Sequence, residues 1–253
     1  MWDEIEQLIR LLRYIGGGSE GEYTYTHSAF LAGHCSYDLN QVLACRDYNS
    51  LLAVLEGSDY HDILANYPPR SDEGKNQIDL VLCERELRLY YYNRVHDMVA
   101  REFSGEAARE LWSIFLEQID AENLVDAYRL RRFFKTSPQQ IRQALLPFKT
   151  PSSKLIDQIV DCEDVGELPR LLSASRFLRQ GQLDQDYVES LTLRQREKLS
   201  RKLLRYSTHP PVTLVSYMTQ LEIELGNVVN IIEGIRYGLS PPDIKKLLIL
   251  PMN

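Results

Sequence analysis

The chain has 253 residues, of which 44% are hydrophobic and 26% are charged, a balance typical of a folded globular protein. Its formal net charge of −7 argues against broad nucleic-acid binding, since phosphate contacts need an electropositive surface. No apolar run reaches the roughly 18 residues that span a bilayer, and the amino terminus does not look like a signal peptide. We therefore expect a cytoplasmic protein.

The first predicted element is an amphipathic helix followed by a glycine triplet. The triplet at Gly16–Gly18 predicts a flexible hinge, since no G-x-x-x-x-G-K-[ST] pattern follows to cradle a phosphate. Residues 1–18 are therefore predicted to form an N-terminal helix and hinge. The apolar positions of this helix are Ile5, Leu8, Ile9 and Leu12.

Helical periodicity dominates the rest of the chain, and no convincing alternation of apolar and polar residues indicates strands. The sequence therefore predicts an all-α fold, interrupted by a proline- and glycine-rich loop at Asn66–Gly74. Four long helices are expected, at Ile78–Phe103, Ala107–Phe134, Asp184–Tyr206 and Leu214–Ile235. The last carries an apolar stripe of Leu214, Tyr217, Met218, Leu221, Leu225, Val228, Ile232 and Ile235.

Helix start signals also recur along the chain. Ser137 is followed by a proline and, three residues after the serine, by Gln140, the pattern of a capping box. Ser240 and Asp243 repeat this arrangement, again with proline after the serine. Asp164 is a further candidate cap, before a short helix through Leu172.

The strongest pattern is an internal duplication. Apolar and polar residues of Val42–Tyr60 recur in Ile159–Phe177 at a constant offset of 117 residues. Those of Leu111–Phe133 recur in Val215–Tyr237 at an offset of 104. Two ordered blocks of matches predict one helical module duplicated in tandem, which favours a scaffold over an enzyme.

We expect the first module at residues 19–150 and the second at 151–253. Equivalent positions in two superimposable bundles are then predicted for two pairs of residues. These pairs are Cys45 with Cys162 and Asn123 with Asn227.

No catalytic or metal-binding constellation is visible. The sequence lacks a nucleophile elbow, an H-E-x-x-H motif and a dinucleotide fingerprint. Its four cysteines show no C-x-x-C spacing and are interpreted as buried apolar residues, and a set of His27, His34, Cys35 and Cys45 matches no standard metal site. We predict no catalytic residue, no metal and no cofactor.

Two polar pairs lie within strongly apolar helices. Asp120 and Asn123 form the first, and Glu224 and Asn227 form the second. A buried amide is retained only where its donors and acceptors find partners, so we interpret each asparagine as tying its helix to neighbouring backbone or to a following arginine. Ligand binding is the alternative, although repetition in both modules suits a structural tie better.

Basic residues three or four apart predict a positive stripe on one helix face. A solvated surface is the simplest interpretation, and contact with an acidic protein partner or with a membrane surface are the alternatives. The residues of this basic stripe are Arg194, Lys198, Arg201, Lys202 and Arg205.

Three segments together resemble a known family. The pattern I-D-A-E-N-L-V-x-A-Y-R at Ile119–Arg129, followed by Ser137-Pro138, is similar to a repeated signature in the central stalk of V-type and A-type ATPases. It belongs to the stalk subunit that is designated C, or d in eukaryotes. The segments Tyr217–Leu239 and Leu51–Tyr60 resemble the closing helix and the helical opening of the same family.

This resemblance implies an all-helical socket that sits on the membrane rotor ring and receives the rotor shaft. Such a subunit transmits torque for proton or sodium transport, binds no nucleotide and stays peripheral to the membrane. Family members contain three similar modules, whereas two are counted here, with residues 1–18 as an extra helix that lacks a counterpart. The chain therefore resembles a shortened, two-module member.

Two other classes of function compete with the stalk subunit. A helical adapter for a soluble protein partner needs the family-like motifs only for packing. An enzyme is the least supported class, and it requires histidines and carboxylates to converge in one pocket.

Overall fold

The computed structural model describes residues 1–17, 35–72, 75–173 and 188–250, and these residues are helical apart from one short hairpin. They form two compact units, Met1–Val95 and His96–Asn253. The all-α prediction is confirmed. The units differ from the two sequence modules, whose predicted boundary lies near residue 150, inside the second unit.

The first unit contains short helices and the hairpin. The two strands pair antiparallel within the predicted Asn66–Gly74 loop and just beyond it, with Arg70 opposite Gln77 and Asp72 opposite Lys75. Its elements are α1 (Trp2–Gly16), α2 (Leu39–Ala44), α3 (Tyr48–Val54), α4 (Asp59–Ala65), β1 (Arg70–Asp72), β2 (Lys75–Gln77) and the start of α5 (Leu80–Glu102).

The second unit is built on three long helices that pack against one another, α6, α10 and α11. Its elements after the end of α5 are α6 (Gly105–Arg132), α7 (Pro138–Ala144), α8 (Ser153–Asp161), a 3₁₀ turn (Val165–Glu167), α9 (Leu168–Ser173), α10 (Val188–Tyr206), α11 (Pro210–Arg236) and α12 (Pro241–Lys246). All four long helices lie where the periodicity predicts them. Residues 184–187, the predicted start of α10, lie outside the described residues.

The predicted caps form at the starts of the short helices. Ser137 and Gln140 make a reciprocal capping box at α7, and the Ser240 side chain accepts from the Asp243 amide at α12. Asp164 accepts from the amide of Gly166 at 2.8 Å, which starts the 3₁₀ turn before α9. These local hydrogen bonds satisfy amides that a helix start leaves without partners.

The two longest helices of the second unit both end in a left-handed turn. Gly238 follows α11 with φ of 69°, a conformation that glycine adopts without steric cost. Lys135 occupies the corresponding turn after α6 with φ of 50°. The turn after α6 therefore carries a lysine side chain, whereas the turn after α11 carries no side chain.

Two hydrophobic cores repeat one design. In the first core, apolar residues of α1, which include Leu8 and Leu12, cluster with residues of the short helices α2, α3 and α4 and of the start of α5. In the second core, the end of α6 packs on α8 and α9 through residues that include Leu124 and Tyr128. Apolar residues of one longer helix and of several short helices thus share a core in both.

The cysteines follow the same repeat. Cys45 ends α2 and Cys162 ends α8, and each backbone amide donates to a carbonyl three residues earlier. Cys83 is fully buried, and burial raises the pKa of its thiol to about 11. Burial likewise raises the pKa of the Cys35, Cys45 and Cys162 thiols, so all four are protonated and weakly reactive at neutral pH.

Candidate functional surfaces

The predicted basic stripe lies along α10, whose opposite side packs in the second unit. Arg194 is half-buried, whereas the other four side chains, Lys198, Arg201, Lys202 and Arg205, are exposed. The helical spacing of three and four places them along one side. The structure therefore brings the predicted residues together on a surface.

Much of the positive charge on this stripe is uncompensated. Arg201 pairs with the buried Glu197 one turn earlier, with its Nε at 2.6 Å from the carboxylate. Lys198, Lys202 and Arg205 form no ion pair with any residue that the structure describes. Three lysine and arginine side chains are thus available to an acidic partner.

The neighbouring helix α11 holds the stripe in place. The Gln220 side chain donates to the Glu197 carbonyl at 3.0 Å and to the Ser200 hydroxyl at 2.5 Å. Arg196 also pairs with Glu222 at 3.1 Å across the two helices. Because Glu197 and Ser200 are buried between α10 and its neighbours, these bonds fix the rotation of α10 and hence the direction of its basic face.

Lys202 also borders an open groove between α6 and α10. The groove has a volume of about 280 Å³ and mixed charge. Its lining includes carboxylates beside basic side chains, so it shows no preference for ligands of one sign. The lining residues are Glu106, Arg109, Glu110, Ser113, Leu199, Lys202, Leu203 and Tyr206.

The two asparagines make the same pair of hydrogen bonds. Asn123 donates to the Leu146 carbonyl at 2.9 Å and accepts from the Leu146 amide at 2.8 Å. Asn227 donates to the Ile249 carbonyl at 2.9 Å and accepts from the Ile249 amide at 2.8 Å. Each side-chain amide thus joins a long helix to the extended backbone that follows the next short helix, through both of its polar ends.

The carboxylates beside the asparagines differ in their surroundings. Asp120 is fully buried and accepts from the Ser152 amide at 2.9 Å and from the Ser152 hydroxyl at 2.6 Å. Glu224 holds the equivalent place on α11, but it is exposed and bonds to no described residue. Both asparagines are therefore tied to backbone, but of the two carboxylates only Asp120 has a hydrogen-bond partner among the described residues.

A third equivalent of this arrangement occurs in the first unit. Glu4 of α1 is buried and accepts from the Ser36 amide at 2.5 Å and from the Tyr60 hydroxyl at 2.8 Å. Glu4 and Ser36 precede Asp120 and Ser152 by the same 116 residues. Residues 1–18 were predicted to be an extra helix without a counterpart, but α1 corresponds to the end of α6. The sequence signal for this match is the constant spacing of 116 residues, which joins a glutamate to an aspartate and a serine to a serine.

Seven of the eight residues in the predicted apolar stripe of α11 are exposed, and the eighth, Leu221, is half-buried. The buried residues of α11 are instead Val212, Ser216, Thr219, Ile223 and Gly234. An exposed apolar face that runs along most of a helix is typical of a binding surface. The exposed residues of the stripe are Leu214, Tyr217, Met218, Leu225, Val228, Ile232 and Ile235, and Ile231 beside them is also exposed.

Other kinds of site find no support in the part of the chain described here. No cluster of three or more metal-binding side chains occurs among these residues. None of the described helices is both long enough and apolar enough to cross a bilayer. Three candidate surfaces stand out among the described residues: the basic stripe of α10, the groove beside it and the apolar face of α11.

These features define an all-helical repeat protein with exposed basic and apolar surfaces. A family model described as ATP synthase (C/AC39) subunit matches residues 1–247. The chain therefore belongs to this family of V/A-type ATPase subunits, and the resemblance of its motifs is confirmed. No curated protein gives a significant match.

Proposed function

We propose that this chain is a central-stalk subunit of a V/A-type rotary ATPase that couples the rotor shaft to the membrane ring. Membership of the ATP synthase (C/AC39) subunit family is the observation that carries this proposal. The subunit passes torque during proton or sodium transport and acts on the cytoplasmic side, peripheral to the membrane.

The hydrogen bonds that join the long helices to neighbouring segments support a mechanical role. Torque transfer requires helices that keep their relative positions under load, and buried side-chain ties such as Asn123 to Leu146 restrict sliding. Because Asn123 both donates to and accepts from the backbone of Leu146, the tie also restrains rotation of the helix. This arrangement suits a coupling element and requires no titrating centre.

The experiment removes this chain from the assembled ATPase and measures ATP hydrolysis and ion pumping separately. Pumping should be lost while hydrolysis by the isolated head is retained, since the chain joins the head to the ring. Restoring the full chain should restore pumping. Loss of hydrolysis in the isolated head, or pumping that persists without the chain, would refute the proposal.

The basic stripe of α10 is the candidate contact for a stalk partner. Arg201→Glu combined with Lys202→Glu should weaken assembly of the complex, because it reverses charge that the chain itself leaves largely uncompensated. Lys149→Glu with Lys154→Glu is the matched control, since these lysines are also exposed but lie off the stripe. Equal assembly of both variants, measured by co-purification from mild detergent, would exclude the stripe.

A further inference from the structure

The helix α10 carries more positive charge than its surroundings neutralise. It contains six basic and two acidic residues, although the chain as a whole has a formal net charge of −7. Lys198, Lys202 and Arg205 of the basic stripe are exposed and form no ion pair with a described residue. A row of uncompensated charge on one helix attracts an anionic partner.

Packing against α6 and α11 fixes which side of α10 meets solvent. Gln220 of α11 donates to the Glu197 carbonyl and to the Ser200 hydroxyl on the packed side. The Glu197 carboxylate in turn holds Arg201 at 2.6 Å from its Nε. The backbone that carries the other three cations is therefore in place before a partner arrives, which lowers the entropy cost of binding.

The spacing of the three cations matches one face of a second helix. Lys202 and Arg205 follow Lys198 by four and seven residues, which places them roughly 6 and 10.5 Å further along α10. Carboxylates three and four residues apart on a helix that lies alongside repeat at the same distances. In an extended segment, side chains on one face repeat every roughly 6.6 Å, so a third carboxylate falls about 3 Å beyond Arg205.

A membrane surface suits this side of α10 less well. A helix that binds a bilayer surface sets apolar side chains beside its basic ones. Tyr206 is the single exposed large apolar side chain of α10 among those that the structure describes. Glu106 and Glu110 line the groove beside Lys202, so a broad anionic surface meets carboxylates there, whereas one narrow helix can contact the cations alone.

We infer that the basic stripe binds an acidic helix of a partner protein. Asp or Glu residues of this helix, spaced three and four residues apart, pair with Lys198, Lys202 and Arg205 while the helix lies alongside α10. The inference names the chemistry of the partner at the candidate contact of the stalk subunit. It rests on the proposed function only for the choice of the complex in which it is tested.

Zero-length cross-linking in the assembled complex tests this inference. The full chain is purified with its native partners from mild detergent and treated with a carbodiimide, which joins a lysine amine to a carboxylate in contact with it. Peptide mass spectrometry identifies the carboxylates joined to Lys198 and to Lys202. They should belong to one segment of a partner and lie three or four residues apart. Carboxylates two residues apart would indicate an extended partner and overturn the inference.

Two double variants separate the charge from the amine. Lys198→Arg with Lys202→Arg keeps the charge, so the partner should still co-purify while both cross-links disappear. Lys198→Gln with Lys202→Gln removes the charge, so co-purification should fall by about tenfold, the effect of losing two exposed ion pairs. Undiminished co-purification of the glutamine variant would overturn the inference.

The matched control changes two lysines that lie off the stripe. Lys149→Gln with Lys154→Gln removes the same charge from exposed positions and should leave co-purification unchanged. An equal loss in this control would mean that the net charge of the chain, and not the stripe, governs assembly. That result would also overturn the inference.

Vesicles rich in phosphatidylserine test the competing surface. The purified chain alone should stay in solution when these vesicles are sedimented, because the chain is acidic overall and its basic side lacks aliphatic residues among the described positions. Sedimentation with the vesicles that Lys198→Gln with Lys202→Gln abolishes would assign the stripe to a membrane instead of a helix.

The cross-linked complex also separates this inference from the proposed function. Cross-links from Lys198 and Lys202 to suitably spaced carboxylates of a protein outside the ATPase would refute the stalk role and support the acidic helix. Co-purification with ATPase subunits without such cross-links would support the stalk role and overturn the acidic helix.

Discussion

The asparagine ties of α6 and α11 have the same hydrogen bonds in different surroundings. Asn123 is buried under the second core, whereas Asn227 is half-buried on a helix whose apolar face is exposed. The bond lengths nevertheless agree to within 0.1 Å. The tie therefore depends on the local sequence, and burial of the neighbouring face depends on what packs against it.

The largest expected difference comes from an identical substitution in the two faces. Leu124→Asp should reduce the free energy of unfolding by more than about 4 kcal/mol, because it places a charge without a partner in the second core. Val228→Asp, its equivalent on α11, should change it by less than about 0.5 kcal/mol. Urea denaturation followed by circular dichroism measures both. Equal losses would mean that the α11 face is covered within the chain.

Removal of the asparagine side chains should give a smaller difference. Asn123→Ala should cost about 3 kcal/mol, since the amide and carbonyl of Leu146 are left buried without partners. Asn227→Ala should cost less, about 1 kcal/mol, because Asn227 is only partly buried and water can take the place of its side chain. The same denaturation curves apply. A cost for Asn227→Ala as large as that for Asn123→Ala would contradict the role assigned to burial.

The buried carboxylate of α1, Glu4, should make the stability of the chain sensitive to acid. Burial opposes ionisation of Glu4, but hydrogen bonds from Ser36 and Tyr60, together with the ammonium group of Met1 at 3.2 Å, outweigh it and lower its pKa. A lowered folded pKa gives stability that is present above the unfolded value of about 4.3 and is lost as the pH falls through the folded value.

Glu4→Gln should therefore reduce stability at neutral pH by about 1 kcal/mol and flatten its decline in acid. Glu224→Gln should change stability at neutral pH by less than about 0.5 kcal/mol, because no described group bonds to the exposed Glu224. Thermal midpoints between pH 7 and pH 3 test both variants. A curve for Glu4→Gln that still parallels the unaltered chain would exclude this carboxylate as a source of acid sensitivity.

The smallest effects are expected at the two serine caps, where the surroundings are alike. Ser137→Ala and Ser240→Ala should each cost about 1 kcal/mol, since both serines are exposed and each bonds one free amide. Similar losses of stability would show that α6 and α11 differ in the exposure of their faces and not in the helix starts that follow them. A clear inequality would indicate that the difference extends to the turns.

Local signals account for much of what the sequence predicted. The periodicity that defines α5, α6, α10 and α11 lies within each helix, and the serine caps act over three residues. The asparagine motif also pointed to a nearby backbone partner. Such features need no knowledge of distant packing, so one chain is sufficient to locate them.

Other features depend on contacts between distant segments. The match of Glu4 and Ser36 to Asp120 and Ser152 is hidden because a glutamate replaces an aspartate and few neighbours are identical. The hairpin lies in a stretch where two prolines and a glycine suggest only a loop. Exposure of the α11 stripe was not predictable from its apolar pattern, since that pattern is the same whether or not another element covers it.

Lys135 gives the first repeat an energetic cost that the second avoids. Its left-handed backbone is unfavourable for a residue with a Cβ by about 1 kcal/mol, whereas Gly238 adopts the matching turn freely. Because Lys135 is exposed, relieving this cost with glycine would not disturb either core. The turn after α6 is therefore a place where a designer can seek a more thermostable chain without altering the basic stripe of α10 or the apolar face of α11.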